Sequence, residues 1–160
     1  ILSRGQVVEA VHLGLLTQIG VQDVEVNCMP KVGILSTGNE LVPYHEEQKN
    51  ASVPAPAPAP ATGVIPDANG PVLCSLLSSY GSCQPVHLGI AKDDDPERLT
   101  TILRKSIAQN DILITTGGVS MGEMDIIEEV LVNNLGCKIH FGRLHMKPGK
   151  PTTFLTHEDD

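Results

Sequence analysis

The chain has 160 residues, of which 41% are hydrophobic but only 2% aromatic, and a formal net charge of -8 at pH 7. This length favours one ordinary domain, and the acidic balance argues against non-specific binding of nucleic acid. Because the sequence has no Trp, its core must be built from Val, Ile and Leu, which favours a parallel sheet covered by helices over an aromatic-rich sandwich.

The sequence carries no sign of a membrane span or of a zinc site. No apolar run approaches the roughly 20 residues that cross a bilayer, and the first residues, ILSRGQVVEA, lack the layout of a signal peptide. We therefore expect a soluble, cytoplasmic protein. The six His have no i, i+4 partners, and reduced structural thiols are expected because the cysteines are widely spaced. These are Cys28, Cys74, Cys83 and Cys137.

The first thirty residues predict a helix followed by a connector. Apolar residues recur at helical spacing over 6–19, so we expect an amphipathic helix. Its inner face would carry Val7, Val11, Leu15 and Leu16. Residues 24–27 predict a short extended connector before Pro30. We accordingly divide the chain into 1–30, belonging to a preceding part of a longer protein, and a domain over 31–160.

The domain begins with KVGILST at 31–37, a predicted buried strand that ends in the turn TGNEL with Gly38 and Glu40. From about 43 to 63 the periodicity stops, and prolines alternate with alanine in ASVPAPAPAPAT. Such a segment prefers extended polyproline geometry. We expect a loop or spacer there, and a proline-rich ligand for an aromatic groove is the less favoured alternative.

Helices and strands alternate over the rest of the chain. Asp67 can cap a helix over 69–80 that stops at Gly81, and its inner side would carry Val72, Leu73, Leu76 and Leu77. A strand is predicted at 86–90, and Asp95 with Pro96 starts a helix that ends near Ala108. A strand at 111–115, a helix at 126–134 and two strands around HMKPGKP follow. This alternation is typical of an open α/β sheet, which binds ligands beyond the carboxyl ends of its strands.

Four segments fall at strand ends or helix starts and are therefore expected to meet at one edge of the sheet. They are TGNEL, IPDAN, GGVSMGEMD and MKPGKP, which together carry Glu40, Asp67, Ser120, Glu123, Asp125, Lys147 and Lys150. Each has a purely structural alternative: an ordinary turn at Gly38, a helix cap at Asp67 or Asp125, and a solvated pair of lysines. The glycine loop is the hardest to explain structurally, because tandem glycines weaken a strand exit unless something needs the room.

The glycine-rich turn, the two lysines and the carboxylates together predict an anionic ligand. Backbone N–H groups of a glycine-rich turn that enters a helix bind phosphate oxygens, and two lysines can hold a dianion such as phosphate, sulfate or an oxometallate. The nearby carboxylates would repel that anion unless a divalent cation such as Mg2+ lies between them. We therefore predict a phosphorylated ligand with a bridging metal ion.

The same segments, TGNEL, GGVSMGEMD and MKPGKPTTF, in this order and at about these separations, resemble the molybdopterin molybdenumtransferase family. This family includes bacterial MoeA, the E domain of gephyrin and its plant counterparts, and GLLTQIGV also looks like its entry into the domain. The resemblance implies a MogA-like three-layer α/β/α sandwich with a mostly parallel sheet. It also implies binding of adenylylated molybdopterin and insertion of molybdenum from molybdate, with release of AMP.

The resemblance assigns roles to residues. Catalysis would involve Asp67, Asp125, Lys147 and Lys150, and the divalent metal would be held by Glu40, Asp67 and Asp125. Ser120, Lys147, Lys150 and Pro151 would line the molybdate pocket. The remaining substrate-binding positions would be Thr37, Gly38, Asn69, Gly117, Gly118, Val119 and Gly122.

The sequence also departs from the family pattern. Ala68 replaces the usual hydroxyl residue of an Asp-Ser-Asn turn, the Pro-Ala tract enlarges the preceding loop, and the chain ends at Asp160, before an expected Pro-Gly-Asn-Pro segment and arginine. We therefore expect these residues to be inactive alone. The family resemblance also implies that the parent protein is a homodimer.

The alternatives are an adenylyltransferase of the MogA kind, a gephyrin-like module with receptor or cytoskeletal partners, and a degenerate paralogue.

Overall fold

The computed structural model describes residues 2–43, 63–117 and 126–157. Helices and strands alternate along the chain, as predicted. The helices are α1 (Ala10–Gln18), α2 (Asn69–Tyr80), α3 (Pro96–Gln109) and α4 (Ile126–Glu129), the last continuing as a π-helical turn over Val130–Asn134. The strands are β1 (Lys31–Thr37), β2 (Leu41–Val42), β3 (Ile65–Pro66), β4 (Gln84–Ala91), β5 (Ile112–Thr116), β6 (Lys138–Phe141) and β7 (Phe154–Thr156).

The central sheet has the strand order β4-β1-β5, and both pairs are parallel. The middle strand, β1, is buried from Val32 to Thr37, which is why its sequence does not alternate between apolar and charged residues. α2 packs against β4 and β1, whereas α3 contacts β4 and β5. The predicted α/β/α arrangement with a mostly parallel sheet is confirmed.

The main core lies between the sheet and the layer formed by α3, α4 and the π-helical turn. Leu35 of β1 packs there with Leu99 and Leu103 of α3, and all three side chains are fully buried. Ile34 is also fully buried but faces the other side of the sheet, because side chains alternate along a strand. The members of the core are Leu35, Ala91, Leu99, Leu103, Ile127, Val130, Leu131, Leu135 and Cys137.

Local signals fix the ends of the two longest helices. The carboxylate of Asp95 accepts hydrogen bonds from the backbone N–H groups of Glu97 and Arg98 at 3.1 and 3.0 Å, and Pro96 begins α3. α2 ends at Gly81, whose φ of 64° lies in the left-handed region that glycine tolerates. Both predicted helix boundaries are therefore confirmed to within a residue.

A short ladder that the sequence did not reveal brackets the Pro-Ala tract. β2 and β3 pair in parallel, and the backbone N–H of Ile65 donates to the carbonyl of Glu40 at 2.8 Å. The N–H of Asp67 donates to the carbonyl of Val42 at 3.0 Å. The ends of the segment 43–63 are thus tied together, so its length does not alter the positions of the residues that flank it.

The predicted apolar face of α1 is wrong, and that of α2 is half right. No residue of α1 is buried, and its Val11 is 62% exposed. On α2 the expected inner residues Leu73 and Leu77 are half-buried, whereas Val72 and Leu76 are exposed and Gly70 is the one fully covered residue. Helical periodicity identified the helices but not which side the sheet covers, because apolar residues lie on more than one side of each helix.

The end of the chain forms a separate antiparallel pair, β6 and β7. Phe141 stacks on Phe154 with ring centroids 5.6 Å apart, and both rings remain about half exposed. The four cysteines are free thiols, as predicted. Within the described ranges, no helix is both long and apolar enough to cross a membrane.

Candidate functional site

The carboxyl end of β1 leads into a tight turn that holds a carboxylate over a glycine. Gly38 has a φ of 145°, and its backbone N–H donates to the carbonyl of Ala91 at 3.2 Å. A Cβ at this position would lie 2.6 Å from Oε2 of Glu40. The absence of a side chain at Gly38 therefore allows the exposed Glu40 carboxylate to fold back over the end of the strand.

Lys92, at the end of β4, fixes this turn from the neighbouring strand. Its ammonium donates to the backbone carbonyls of Asn39 and Leu41 at 2.8 and 2.7 Å. The N–H of Asp93 also donates to the Asn39 side chain at 3.3 Å. The position of Glu40 is thus set by contacts with β4 as well as by its own turn, and Lys92 is a contributor that the sequence analysis missed.

Asp67 is a buried carboxylate with three protein donors. Oδ1 accepts the backbone N–H of Gly70 at 3.1 Å, and Oδ2 lies 3.2 Å from Nε2 of His87. The hydroxyl of Ser36, at the end of β1, also donates to it. Only 3% of the Asp67 side chain is exposed. Asp67 therefore supports the start of α2, as a cap would, and also joins that helix to two strands.

The hydrogen bonds of Asp67 outweigh its burial in setting its charge. Burial acts to raise the pKa of this carboxyl, but donation from Gly70, Ser36 and His87, together with the charge of His87 when protonated, lowers the pKa below its ordinary value. The same negative charge, after burial, raises the pKa of the Cys74 thiol one turn along α2. Asp67 is thus an anion over the physiological range, and Cys74 is a thiol rather than a thiolate.

Hydroxyl groups connect Asp67 to the start of the glycine loop. Thr116, the last residue of β5, donates through Oγ1 to the hydroxyl of Ser36 at 3.3 Å, and Thr37 donates to the carbonyl of Thr116 at 3.1 Å. Gly117 follows with a φ of 89°, and a Cβ added there would collide with the backbone carbonyl oxygen of Thr37. The chain leaves the sheet through a contact that only glycine allows.

The lysine loop connects β6 to β7. Lys147, Lys150 and Pro151 are all exposed. The hydroxyl of Thr152 donates to the carbonyl of Gly149 at 2.7 Å, and the hydroxyl of Thr153 donates to the carboxylate of Glu128 on α4. The loop is therefore attached to the helix that follows the glycine loop in sequence.

Three of the four predicted segments meet around the carboxyl end of β1. Thr37 and Gly38 end that strand, Asp67 bonds to Ser36, and Gly117 contacts Thr37. Asn69, the first residue of α2, is exposed beside them. The other predicted members of the glycine loop lie outside the described residues: Gly118, Val119, Ser120, Gly122, Glu123 and Asp125.

Comparison with known proteins identifies the family. Residues 33–159 match a family described as "Probable molybdopterin binding domain". The chain belongs to this molybdopterin-binding domain family. The match covers both described flanks of the glycine loop and the whole lysine loop, so the resemblance inferred from the sequence motifs is confirmed.

Relatives of this molybdopterin-binding domain are considerably longer than the chain. A gephyrin of Dictyostelium discoideum is 34% identical over 98% of this chain and 21% of its own length. A molybdopterin molybdenumtransferase of Nostoc sp. is 35% identical over 92% of this chain and 30% of its own length. A solved MoeA protein of Pyrococcus horikosii has a TM-score of 0.71 at 27% identity, and the aligned region covers 97% of this chain and 34% of that one.

Among the described residues, no group of three or more His, Cys, Asp and Glu side chains could hold a metal ion. Of the three carboxylates expected to bind Mg2+, Glu40 is exposed, Asp67 is engaged by protein donors, and Asp125 lies outside the described part of the molecule. A carboxylate has about four acceptor positions, so Asp67 retains one. Of the carboxylates expected to bind the cation, the described part of the domain therefore offers only the exposed Glu40 and the one remaining position of Asp67.

We expect Asp67 to make the stability of the domain pH-dependent. Its pKa is lower in the folded than in the unfolded chain, so its contribution is present above about pH 4, the ordinary pKa of an aspartate. That contribution is lost as the pH falls through the folded-state pKa. Asp67→Asn cannot titrate, and its free energy of unfolding, measured with urea at a series of pH values, should fall less steeply below about pH 4. Equal slopes for the two proteins would contradict this prediction.

Proposed function

We propose that this domain binds adenylylated molybdopterin and contributes to the insertion of molybdenum from molybdate, with release of AMP, as part of a longer molybdopterin molybdenumtransferase. The observation that carries the proposal is the hydrogen-bonded connection from Asp67 through Ser36 and Thr116 to the start of the glycine loop. It joins a buried anion to the start of the glycine loop, beside the Glu40 turn, within a domain of the molybdopterin-binding family. The relatives named molybdenumtransferase support the reaction class.

In this proposal the glycine loop binds the pyrophosphate linkage. The N–H groups at the start of α4 would attract phosphate oxygens, and Gly118 would allow the ligand to approach the backbone, whereas Gly117 lacks a side chain because of Thr37. Val119, Ser120 and Gly122 would contact the same ligand. Thr37 is fully buried and its hydroxyl is used by Thr116, so its contact would come through the backbone, whereas Gly38 and Asn69 would border the pocket.

Lys147 and Lys150 would neutralise the molybdate dianion, and Pro151 would limit the directions that their loop can take. A bound Mg2+ would offset the charge between the carboxylates and the phosphate oxygens. Glu40 and Asp125 would be its main ligands, because Asp67 has a single acceptor position left. Asp67 would instead accept a hydrogen bond from the ligand.

The proposal is tested by titrating adenylylated molybdopterin, and separately molybdate or tungstate with Mg2+, into the isotopically labelled protein. Backbone amide signals of residues 116–123 and 147–151 should shift together. Shifts confined to other residues would overturn the proposal. An adenylyltransferase of the MogA kind would instead require an adenylyl donor such as ATP, so binding of ATP with molybdopterin, and none of molybdate, would favour that alternative.

A further inference from the structure

His87 lies where α2 meets the sheet, and it reaches Asp67, the most buried acid among the residues that the structure describes. Its side chain is 38% exposed, whereas that of Asp67 is 3% exposed. An ionised carboxylate can only accept hydrogen bonds, so the 3.2 Å contact between Asp67 Oδ2 and Nε2 requires the hydrogen to be on Nε2. His87 is therefore a donor that approaches Asp67 from the solvent side.

His87 faces α2 because it pairs in register with Ile34, immediately before a bulge in β4. Ile34 pairs with His87 but Leu35 pairs with Gly89, so Leu88 is an extra residue in β4. Leu88 packs against the core on the α3 side, while His87 lies beside Ile34 on the α2 side. Bulges often lie next to functional sites. Here Gly89, with a φ of 90°, absorbs the irregular backbone.

α2 leaves space for this imidazole. Gly70 is buried in the first turn of α2, and a Cβ there would collide with Nε2 of His87 and lie 2.7 Å from Asp67 Oδ2. Glycine is unfavourable inside a helix, by roughly 1 kcal/mol relative to alanine. Gly70 therefore weakens α2, and the space left by its missing side chain is occupied by Nε2 of His87 and Oδ2 of Asp67.

Three donors leave one acceptor position on Asp67. Gly70 occupies Oδ1, while His87 and Ser36 complete the set, and a carboxylate offers about four positions. Gly70 and Ser36 belong to the framework of α2 and β1. His87 contributes the one donor that arrives on a side chain partly open to solvent, and it is the donor on Oδ2, opposite the Gly70 N–H on Oδ1.

We propose that His87 is a positioning residue, which holds Asp67 so that its remaining acceptor position faces the ligand at the carboxyl ends of β1 and β5. The proposal deepens and rests on the proposed function of this site. The position can accept only a hydrogen-bond donor or a cation. It therefore selects a donor group of the ligand, such as an amine or hydroxyl, and keeps phosphate oxygens on the glycine-loop side.

Two substitutions of His87 separate the effect of its N–H donor from the effect of its side-chain shape. Glutamine can place an N–H near the position of Nε2, whereas methionine has similar length and no N–H. In the complete protein, His87→Met should weaken binding of adenylylated molybdopterin about 10-fold, as expected for loss of a hydrogen bond to a charged group. His87→Gln should remain within about 3-fold of the wild type.

A second route displaces the imidazole without changing it. Gly70→Ala should weaken binding at least as much as His87→Met, because the added methyl group would displace Nε2 and also press on Asp67 Oδ2. The losses should be less than additive in the double variant, since both substitutions disturb the same contact between His87 and Asp67. Fully additive losses would contradict a shared cause.

Spectroscopy distinguishes failure of this inference from failure of the proposed function. The carboxyl 13C signal of Asp67 and the amide signal of Gly70, recorded without ligand at fixed pH, should move in His87→Met and stay near wild type in His87→Gln. That result would support positioning even if the wild-type protein did not bind adenylylated molybdopterin. Unchanged signals in His87→Met, or equal loss of binding in the Met and Gln variants, would overturn the proposal.

Discussion

Replacing Gly117 by alanine should destabilise the domain by about 3 kcal/mol. Roughly 1–2 kcal/mol comes from placing an L-residue in the left-handed region, and roughly 1–3 kcal/mol from forcing apart a packed contact. The φ of Gly117 is 89°, and its Cβ would collide with the carbonyl oxygen of Thr37, a fully buried residue in the middle strand. Because the obstacle is backbone, no change of rotamer can relieve the collision.

Gly89→Ala is the matched control. Gly89 has a φ of 90° and belongs to the same sheet, but a Cβ there meets no atom within 4 Å. The free energy of unfolding of Gly89→Ala should therefore fall by only about 1–2 kcal/mol. Urea unfolding measures both free energies, and the difference between the two variants isolates the close approach to Thr37. Equal losses would show that backbone strain alone explains the glycine at 117.

The sequence predicts best those elements whose ends carry local chemistry. β1 follows Pro30 and ends at Gly38, α2 stops at Gly81, and α3 starts at Asp95 with its side chain capping the first turn. At each boundary a particular residue satisfies or removes backbone hydrogen bonds, so the signal does not depend on the rest of the fold. These boundaries were accordingly predicted to within a residue.

The faces of the helices were predicted less well, because burial depends on distant parts of the chain. α1 has helical periodicity, yet within the described residues nothing buries it. α2 is covered at Gly70 and half-covered at Leu73, whereas Val72 and Leu76 point outward. The sheet reaches this helix through His87 and Ser36, which are polar. The apolar stripe therefore predicted the half-buried Leu73 and Leu77 correctly, but Val72 and Leu76 wrongly.

At the candidate site, too, the sequence predicted the residue with a local signal and missed the residue that comes from a distant part of the chain. Asp67 was predicted as either a helix cap or an acid of the site, and the structure shows it accepting from Gly70 while also bonding to His87. His87 could not be found from spacing, because it is 20 residues from Asp67 and faces it only through the pairing of β4 with β1. A polar residue within the predicted strand VHLGI was the one available signal.

Replacing Lys147 and Lys150 together by alanine should weaken binding of molybdate about 100-fold. Each ammonium can form a charge-assisted hydrogen bond worth roughly 1.5 kcal/mol, and a loss of about 1.4 kcal/mol is tenfold in the dissociation constant. Both side chains are exposed and belong to a loop attached to α4 through Thr153 and Glu128. The fold should therefore tolerate the change, and the circular dichroism spectrum should match that of the wild type.

The control for the lysine pair removes the same charge elsewhere. Lys105 on α3 and Lys138 on β6 are also exposed, and Lys105→Ala with Lys138→Ala makes the net charge equally more negative. Isothermal titration with molybdate at low and at high salt separates two effects, because salt screens the long-range field of the protein but leaves close contacts largely intact. A loss that the control pair reproduces, and that disappears at high salt, would reflect net charge alone. A loss confined to Lys147 and Lys150 that persists at high salt requires both ammonium groups to contact the anion.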